Sequence, residues 1–297
     1  MSKTLCVFLL SFFLGLSGGY AQWDKLGQKE AAFHVITDIP NASQIEVDAE
    51  GNIFLLDSRK GFLYKYLKST HYDSSIVVGG ISTRDDGFLH PKKLAVKNRQ
   101  DFYLLDDLGR KIVLLDKELK VVESSDFYAI SSSGSIDIPD EFEPYSFDIS
   151  SAGETFVLNK FNNKVYKINT FGKIESVFGG LDYGRGSLYE PEDIQLSPQN
   201  RVYIGDVENQ RISVFDMFGV YLKDEELPEE FNWEKFHIHE SLLILWNKSE
   251  LAIINSLSRE KKQYRPTHKF SLRDLYIGRE FIYLLSENEV HLYPIKE

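Results

Sequence analysis

Short apolar runs with an internal period of two, each bounded by turn residues, recur along the chain from residue 45 onward, a pattern that predicts strands rather than helices. Two segments align without gaps: Val77-Val78-Gly79-Gly80 to Phe88-Leu89-His90-Pro91, and Val177-Phe178-Gly179-Gly180 to Leu188-Tyr189-Glu190-Pro191. After each proline come an apolar strand, a turn, a second strand ending in Asp, and a third. The first copy reads Leu94-Ala95-Val96, Phe102 to Asp106 and Ile112 to Asp116; the later one Ile194-Gln195-Leu196, Val202 to Asp206 and Ile212 to Asp216. The same template begins at Ile45, Leu94, Phe147, Ile194, Phe236 and Leu275, at spacings of 39–53 residues.

Six all-strand units of this period predict a six-bladed β-propeller. The last unit holds only three strands after Leu275, while Ala32–Thr37 is an unpaired strand candidate near the N-terminus. A strand from there would complete the last blade, close the ring and remove an open sheet edge. The reading is therefore one all-β domain over residues 30–297, reached through a short linker at 22–29.

Residues 1–21 carry Lys3, an apolar run from Leu5 to Leu16 and small side chains at Gly19 and Ala21, with no acidic residue before Asp24. This reads as a secretory signal peptide, too short for a membrane span of about 20 residues. Cys6, the one cysteine, opens the apolar run rather than closing it, so the leader is not of the lipoprotein type. A mature chain without thiols excludes disulfides, thiolate metal sites and cysteine nucleophiles. The expected location is periplasmic or secreted, in a bacterial cell envelope. Hydrophobic residues at 42% exclude a disordered class, and a net charge of −11 disfavours nucleic acid.

The string Pro191-x-x-Ile194-x-Leu196, Val202 to Asp206, Asn209-Gln210-Arg211-Ile212-x-Val214-Phe215-Asp216, Phe218-Gly219 resembles an NHL repeat. Phe178-Gly179-Gly180 is similar to the glycine-rich linker between such repeats. The resemblance covers about 30–297, strongest in the fourth unit and weakest in the fifth and sixth. It implies a propeller family that includes both binding modules and enzymes.

On each inner strand the apolar positions must pack between blades: Ile45/Val47, Leu94/Val96, Phe147/Ile149, Ile194/Leu196, Phe236/Ile238 and Leu275/Ile277. The intervening position faces the axis and reads Glu46, Ala95, Asp148, Gln195, His237 and Tyr276, with His239 two residues after His237. Glu46, Asp148 and His237 are the candidate ligands if an ion is held; no metal or other cofactor is expected. A rim at the strand starts reads Lys92, Lys93, Tyr145, Glu192, Asp193, Lys235, Arg273 and Asp274. The resemblance implies axial histidines for amidating lyases, and Glu, Asn and Asp around a divalent ion for lactonases. Units two to four offer Ala95, Asp148 and Gln195 instead, and Ile39-Pro40-Asn41 lacks the lactonase opening motif.

The acidic run Asp224–Glu230 and the basic run Arg259–Arg265 suggest a docking patch with Phe231, Trp233 and Tyr264 as aromatic anchors, beside a serine-rich insertion from Ser124 to Asp140. The sequence thus reads as a non-enzymatic interaction module with a protein partner in the cell envelope. A role as accessory or plug subunit of an outer-membrane secretion machine, in protein transport, fits compartment and fold. Two alternatives stay open: a metal-dependent lyase or lactonase-type hydrolase with an axial site, and a carbohydrate-binding propeller using rim aromatics such as Tyr145.

Overall fold

The computed structural model describes residues 32–81, 87–97, 101–127, 142–182, 184–264 and 271–295. The leader 1–21 and the linker 22–29 lie outside the described residues, as does most of the 124–140 insertion. The described part of that insertion belongs to the outer strand of the second blade, Val121–Asp126.

Six four-stranded antiparallel meanders form the molecule. Their inner strands are Gln44–Val47, Pro91–Lys97, Pro144–Ile149, Asp193–Ser197, Lys235–His239 and Asp274–Ile277. Each touches the next and the sixth touches the first, so the blades close into a ring. Blade 6 is composite. His34–Thr37 pairs antiparallel with Glu289–Pro294, His34 opposite Leu292 and Thr37 opposite Glu289, and Phe33 N–H donates to Leu292 O at 2.8 Å. Ile36 and Ile39 then bury against Ile45 of blade 1.

The apolar residues divide into six cores, each lying between two blades. In blade 1 the second strand Ile53–Asp57 sends Ile53 and Leu55 toward blade 6, and Phe54 and Leu56 toward blade 2. Both faces of such a strand are buried, which is why it reads as a continuous apolar run rather than an alternating one. The inner-strand apolar positions enter these cores as expected: Phe147 and Ile149 face blade 2, Phe236 and Ile238 face blade 4.

The Asp or Asn that ends the second strand in blades 1 to 4 is structural. Asp106 is fully buried and accepts the N–H groups of Leu89 (2.8 Å), His90 (2.8 Å) and Gly109 (3.1 Å), fixing the incoming loop to the following turn. Asn159 Oδ1 accepts Glu143 N–H at 2.8 Å in the same way. Gly79 and Gly179 have positive φ, and a Cβ at Gly179 would lie 2.5 Å from buried Leu188, the partner that the repeat places nine residues on.

The aromatic anchors expected of a docking patch are core residues instead. Phe231, Trp233 and Tyr264 are buried, the first two packed between blades 4 and 5 and Tyr264 between blades 5 and 6. The charge runs that flank them are partly strand: Asp224 ends the outer strand of blade 4, and Lys261–Tyr264 is that of blade 5. Among the described residues no helix is long and apolar enough to cross a membrane.

Candidate functional site

A cavity of about 2100 Å³ follows the ring axis, lined by the side chains that alternate away from the inter-blade cores. They form three tiers. The middle tier is Glu46, Ala95, Asp148, Gln195, His237 and Tyr276, and a further tier holds Asp48, Lys97, Ser150, Ser197, His239 and Gly278. Strand alternation also carries the pattern one step earlier, to Gln44, Lys93, Ser146, Asp193, Lys235 and Asp274. Lys93, Asp193, Lys235 and Asp274, read from sequence as rim, therefore line the axis.

Many of these groups are engaged across blade boundaries. The inner strand of every blade is a sheet edge, and its free backbone groups need partners. Gln44 of blade 1 supplies both for Leu94 of blade 2: its Nε2 donates to Leu94 O at 2.6 Å and its Oε1 accepts Leu94 N–H at 2.8 Å. Gln195 does the same for blade 5, donating to Phe236 O at 2.6 Å and accepting Ile238 N–H at 3.0 Å. Asp148 accepts Leu196 N–H at 2.7 Å, and its other oxygen lies 2.6 Å from Lys97 Nζ. Asp274 accepts Ile45 N–H at 2.8 Å.

Two lysines reach further. Lys93 of blade 2 pairs with Asp193 of blade 4 and donates to Ile194 O at 2.8 Å, while Ser146 Oγ donates to the same carboxylate at 2.6 Å. Lys235 of blade 5 donates to Ser43 O of blade 1 at 2.9 Å and lies 3.6 Å from Asp274. Burial alone would raise the Asp193 carboxyl, but Lys93 and its hydrogen-bond donors hold it below the usual range. For Asp274 burial prevails and raises it.

Glu46, His237 and Tyr276 occupy consecutive blades 1, 5 and 6 on the other side of the tier. Burial, aided by Asp274 and Asp148, pushes the Glu46 carboxyl from 4.5 up to about 8, so it is protonated at neutral pH. Gln44 Nε2 donates to Glu46 Oε1 at 3.3 Å. Burial, with His239 and Lys97 nearby, takes His237 from 6.5 down to about 3, so its imidazole is neutral. The His237 and Tyr276 rings stand 6.2 Å apart. His239 is likewise lowered by burial.

The true rim is tied to its own loops. Lys92, its ammonium destabilised by burial, sits over the Tyr145 ring and 3.7 Å from Asp107, and Lys160 Nζ lies 4.8 Å from the same ring centroid. An aromatic face carrying ammonium groups is a poor platform for a sugar. Glu192 N–H donates to Gly205 O at 2.8 Å, and Arg273 binds the Asn41 side chain and Glu287 (3.3 Å).

The resemblance implies a divalent ion in lactonase-type propellers, and the donor set does not fit one. Asp148 is taken up by Lys97 and backbone N–H groups, and among the described residues no three His, Cys, Asp or Glu side chains gather as ligands. The candidates Glu46, Asp148 and His237 thus face one cavity without forming an ion site.

The NHL repeat family model matches residues 188–215, the loop and first three strands of blade 4. No curated protein sequence matches the chain. Among solved structures, virginiamycin B lyase from Staphylococcus aureus is similar with 12% identity and a TM-score of 0.61, over 87% of this chain and 97% of that one. A streptogramin B lyase gives 14% identity and 0.61, over 91% and 90%. A gluconolactonase from Xanthomonas campestris gives 11% and 0.59, over 89% and 91%. At such identities the likeness establishes the fold. It also corrects the functional expectation: the similar structures just named are two lyases and a lactonase, which favours the enzymatic alternative over the non-enzymatic envelope module read from sequence.

Proposed function

We infer that this chain, an NHL-repeat six-bladed propeller, is an enzyme of the lyase or lactonase-type hydrolase class that works by proton transfer in its axial cavity. The observation that carries the reading is that Glu46, Tyr276 and His237 of consecutive blades line one axial cavity, with burial raising the Glu46 carboxyl and lowering the His237 imidazole. A carboxyl with its pKa near the working pH is well placed to give a proton to a leaving oxygen. The carboxylate so formed takes a proton back, from water in a hydrolysis or from carbon in an elimination, while neutral His237 accepts a hydrogen bond that orients the water or the substrate. Tyr276, between them in the ring, supplies a hydroxyl to orient the substrate. Lys93, Lys97 and Lys235 are each matched by a carboxylate, so the cavity suits an uncharged ester or lactone over an anion.

The test is turnover of gluconolactone and of a streptogramin B by purified protein. Acceleration of either is expected, with Glu46→Gln and His237→Asn each lowering it about 10²–10⁴-fold while the melting temperature stays near that of the parent. No turnover of either compound, or variants as active as the parent, would overturn the reading. The leader at 1–21 supports action outside the cytoplasm, and N-terminal sequencing of protein from an envelope fraction, starting at Gln22, would bear that out.

A further inference from the structure

We infer that the axial cavity is entered through one mouth, the one where the inner strands end, and that His239 and Gly278 set what passes there. The two mouths differ in how the tier beside each is bonded. At the strand starts, side chains run over neighbouring blades. Lys93 reaches from blade 2 past blade 3 to blade 4, where it pairs with Asp193 and donates to Ile194 O at 2.8 Å; on the way it donates to Ser146 Oγ of blade 3 at 3.0 Å. Lys235 reaches from blade 5 past blade 6 to Ser43 O of blade 1 at 2.9 Å. Gln44 joins blades 1 and 2 between these two straps. An ammonium leaving such a bed gives up several charge-assisted hydrogen bonds at once, so the straps resist parting.

At the strand ends, among the described residues, no side chain of the tier passes over a neighbouring blade. Three of them turn back into the hairpins that follow. Asp48 accepts the N–H groups of Glu50 (2.9 Å) and Asn52 (2.8 Å), Ser150 that of Glu154 (3.1 Å) and Ser197 that of Arg201 (3.3 Å). Lys97 leans the other way, to Asp148 of the middle tier at 2.6 Å. Gly278 has no side chain to extend, and the half-buried His239 imidazole makes no hydrogen bond among the described residues. The opening is thus left to two residues of adjacent blades 5 and 6.

Both stand beside the middle tier. His239 follows His237 on the same face of one strand, and a Cβ at Gly278 would lie 3.8 Å from the Tyr276 ring. The cavity wall also runs outward at this mouth. It follows the turns after the inner strands of blades 1, 4, 5 and 6, and extends to Met217 and Leu257 in the turns before the outer strands of blades 4 and 5. A ligand arriving this way meets His239 and Gly278 before Glu46, His237 and Tyr276. Passage by this mouth does not depend on the reaction proposed for the cavity.

The experiment is thiol labelling with N-ethylmaleimide, followed by mass, which needs no turnover. Ala95→Cys in a Cys6→Ser background puts the only thiol in the middle tier, between the two mouths. This protein is expected to label while folded, and adding His239→Trp to slow labelling by about tenfold or more, as overfilling a narrow passage does. Gly278→Leu obstructs the same mouth from blade 6 and should act alike, so the test does not rest on one variant folding. Glu234→Trp, at an exposed position beside the other mouth, should leave the rate unchanged. Cutting a strap with Lys235→Ala should restore labelling to the His239→Trp protein. Melting temperatures near that of the unobstructed protein show that each fold is intact. Obstructions at the strand ends that leave the rate unchanged, a Glu234→Trp that slows it as much, or a thiol that reacts only after unfolding would each overturn the inference.

Discussion

The middle axial tier divides into two halves that use the same strand position in opposite ways. In blades 3 and 4, Asp148 and Gln195 give their polar atoms to the backbone of the next blade. In blades 5, 6 and 1, His237, Tyr276 and Glu46 face the cavity, and that half of the ring is held by other means: the N-terminal strand in blade 6, and the Lys235 and Asp274 contacts one tier away. A polar residue on a propeller axis is therefore joinery, or is left facing the cavity, according to whether it reaches the neighbouring strand edge. Position alone does not separate the two.

The comparison can be broken at its largest joint first. Removing residues 30–38 takes away the strand that pairs with Glu289–Pro294 and opens a sheet edge in the half that carries His237, Tyr276 and Glu46. Aggregation or a collapse of the thermal transition is expected in size-exclusion chromatography and calorimetry; a truncated protein as stable as the parent would show that the ring does not depend on its closing strand.

A smaller effect tests the joinery half. Gln195→Leu leaves Phe236 O and Ile238 N–H without partners and should cost about 2–4 kcal/mol, lowering the melting temperature by roughly 5–15 °C. Denaturant unfolding measures it. A cost no larger than that of an ordinary surface substitution, within about 0.5 kcal/mol, would mean the clamp carries little of the blade 4–5 contact.

The effect per pH unit is smaller, and it tests the cavity-facing half. Glu46 has a raised folded pKa, so stability is lost as pH rises from about 4.5 through about 8. His237 has a depressed one, so stability is lost as pH falls from 6.5 through about 3. Each slope is at most about 1.4 kcal/mol per pH unit, and less for side chains partly open to cavity water. Glu46→Gln should flatten the alkaline limb and His237→Asn the acid limb of a pH series of melting temperatures. Unchanged limbs would place both groups in an ordinary solvated channel.

The fold was legible because its signals are local and repeat: Gly79 and Gly179 recur with Phe88 and Leu188 at one spacing, and the interval from Ile45 to Asp57 is kept by four units and shortened by one residue in the last two. Glu46, Asp148, Gln195, His237 and Tyr276 were legible as axial from alternation alone. The division of labour among them was not. Gln44 meets a residue 50 positions away and Gln195 one 41 away, across a boundary that no single strand pattern encodes. Reading the alternation one step earlier would have placed Lys93, Asp193, Lys235 and Asp274 on the axis. The protonation of Glu46 depends on desolvation and on carboxylates from two other blades. Phe231, Trp233 and Tyr264 were misplaced because charged neighbours in sequence drew them to the surface, whereas the chain turns them inward against blades 4, 5 and 6.

The composite sixth blade also sets the order in which the ring can be finished. Its outer strand, His34–Thr37, and that strand's partner, Glu289–Pro294, come from opposite ends of the propeller's sequence. Inter-blade cores between sequence neighbours can form one after another, but the closing joint needs two distant segments brought together, the contact with the largest loop to close. A chain lacking either segment keeps an open sheet edge.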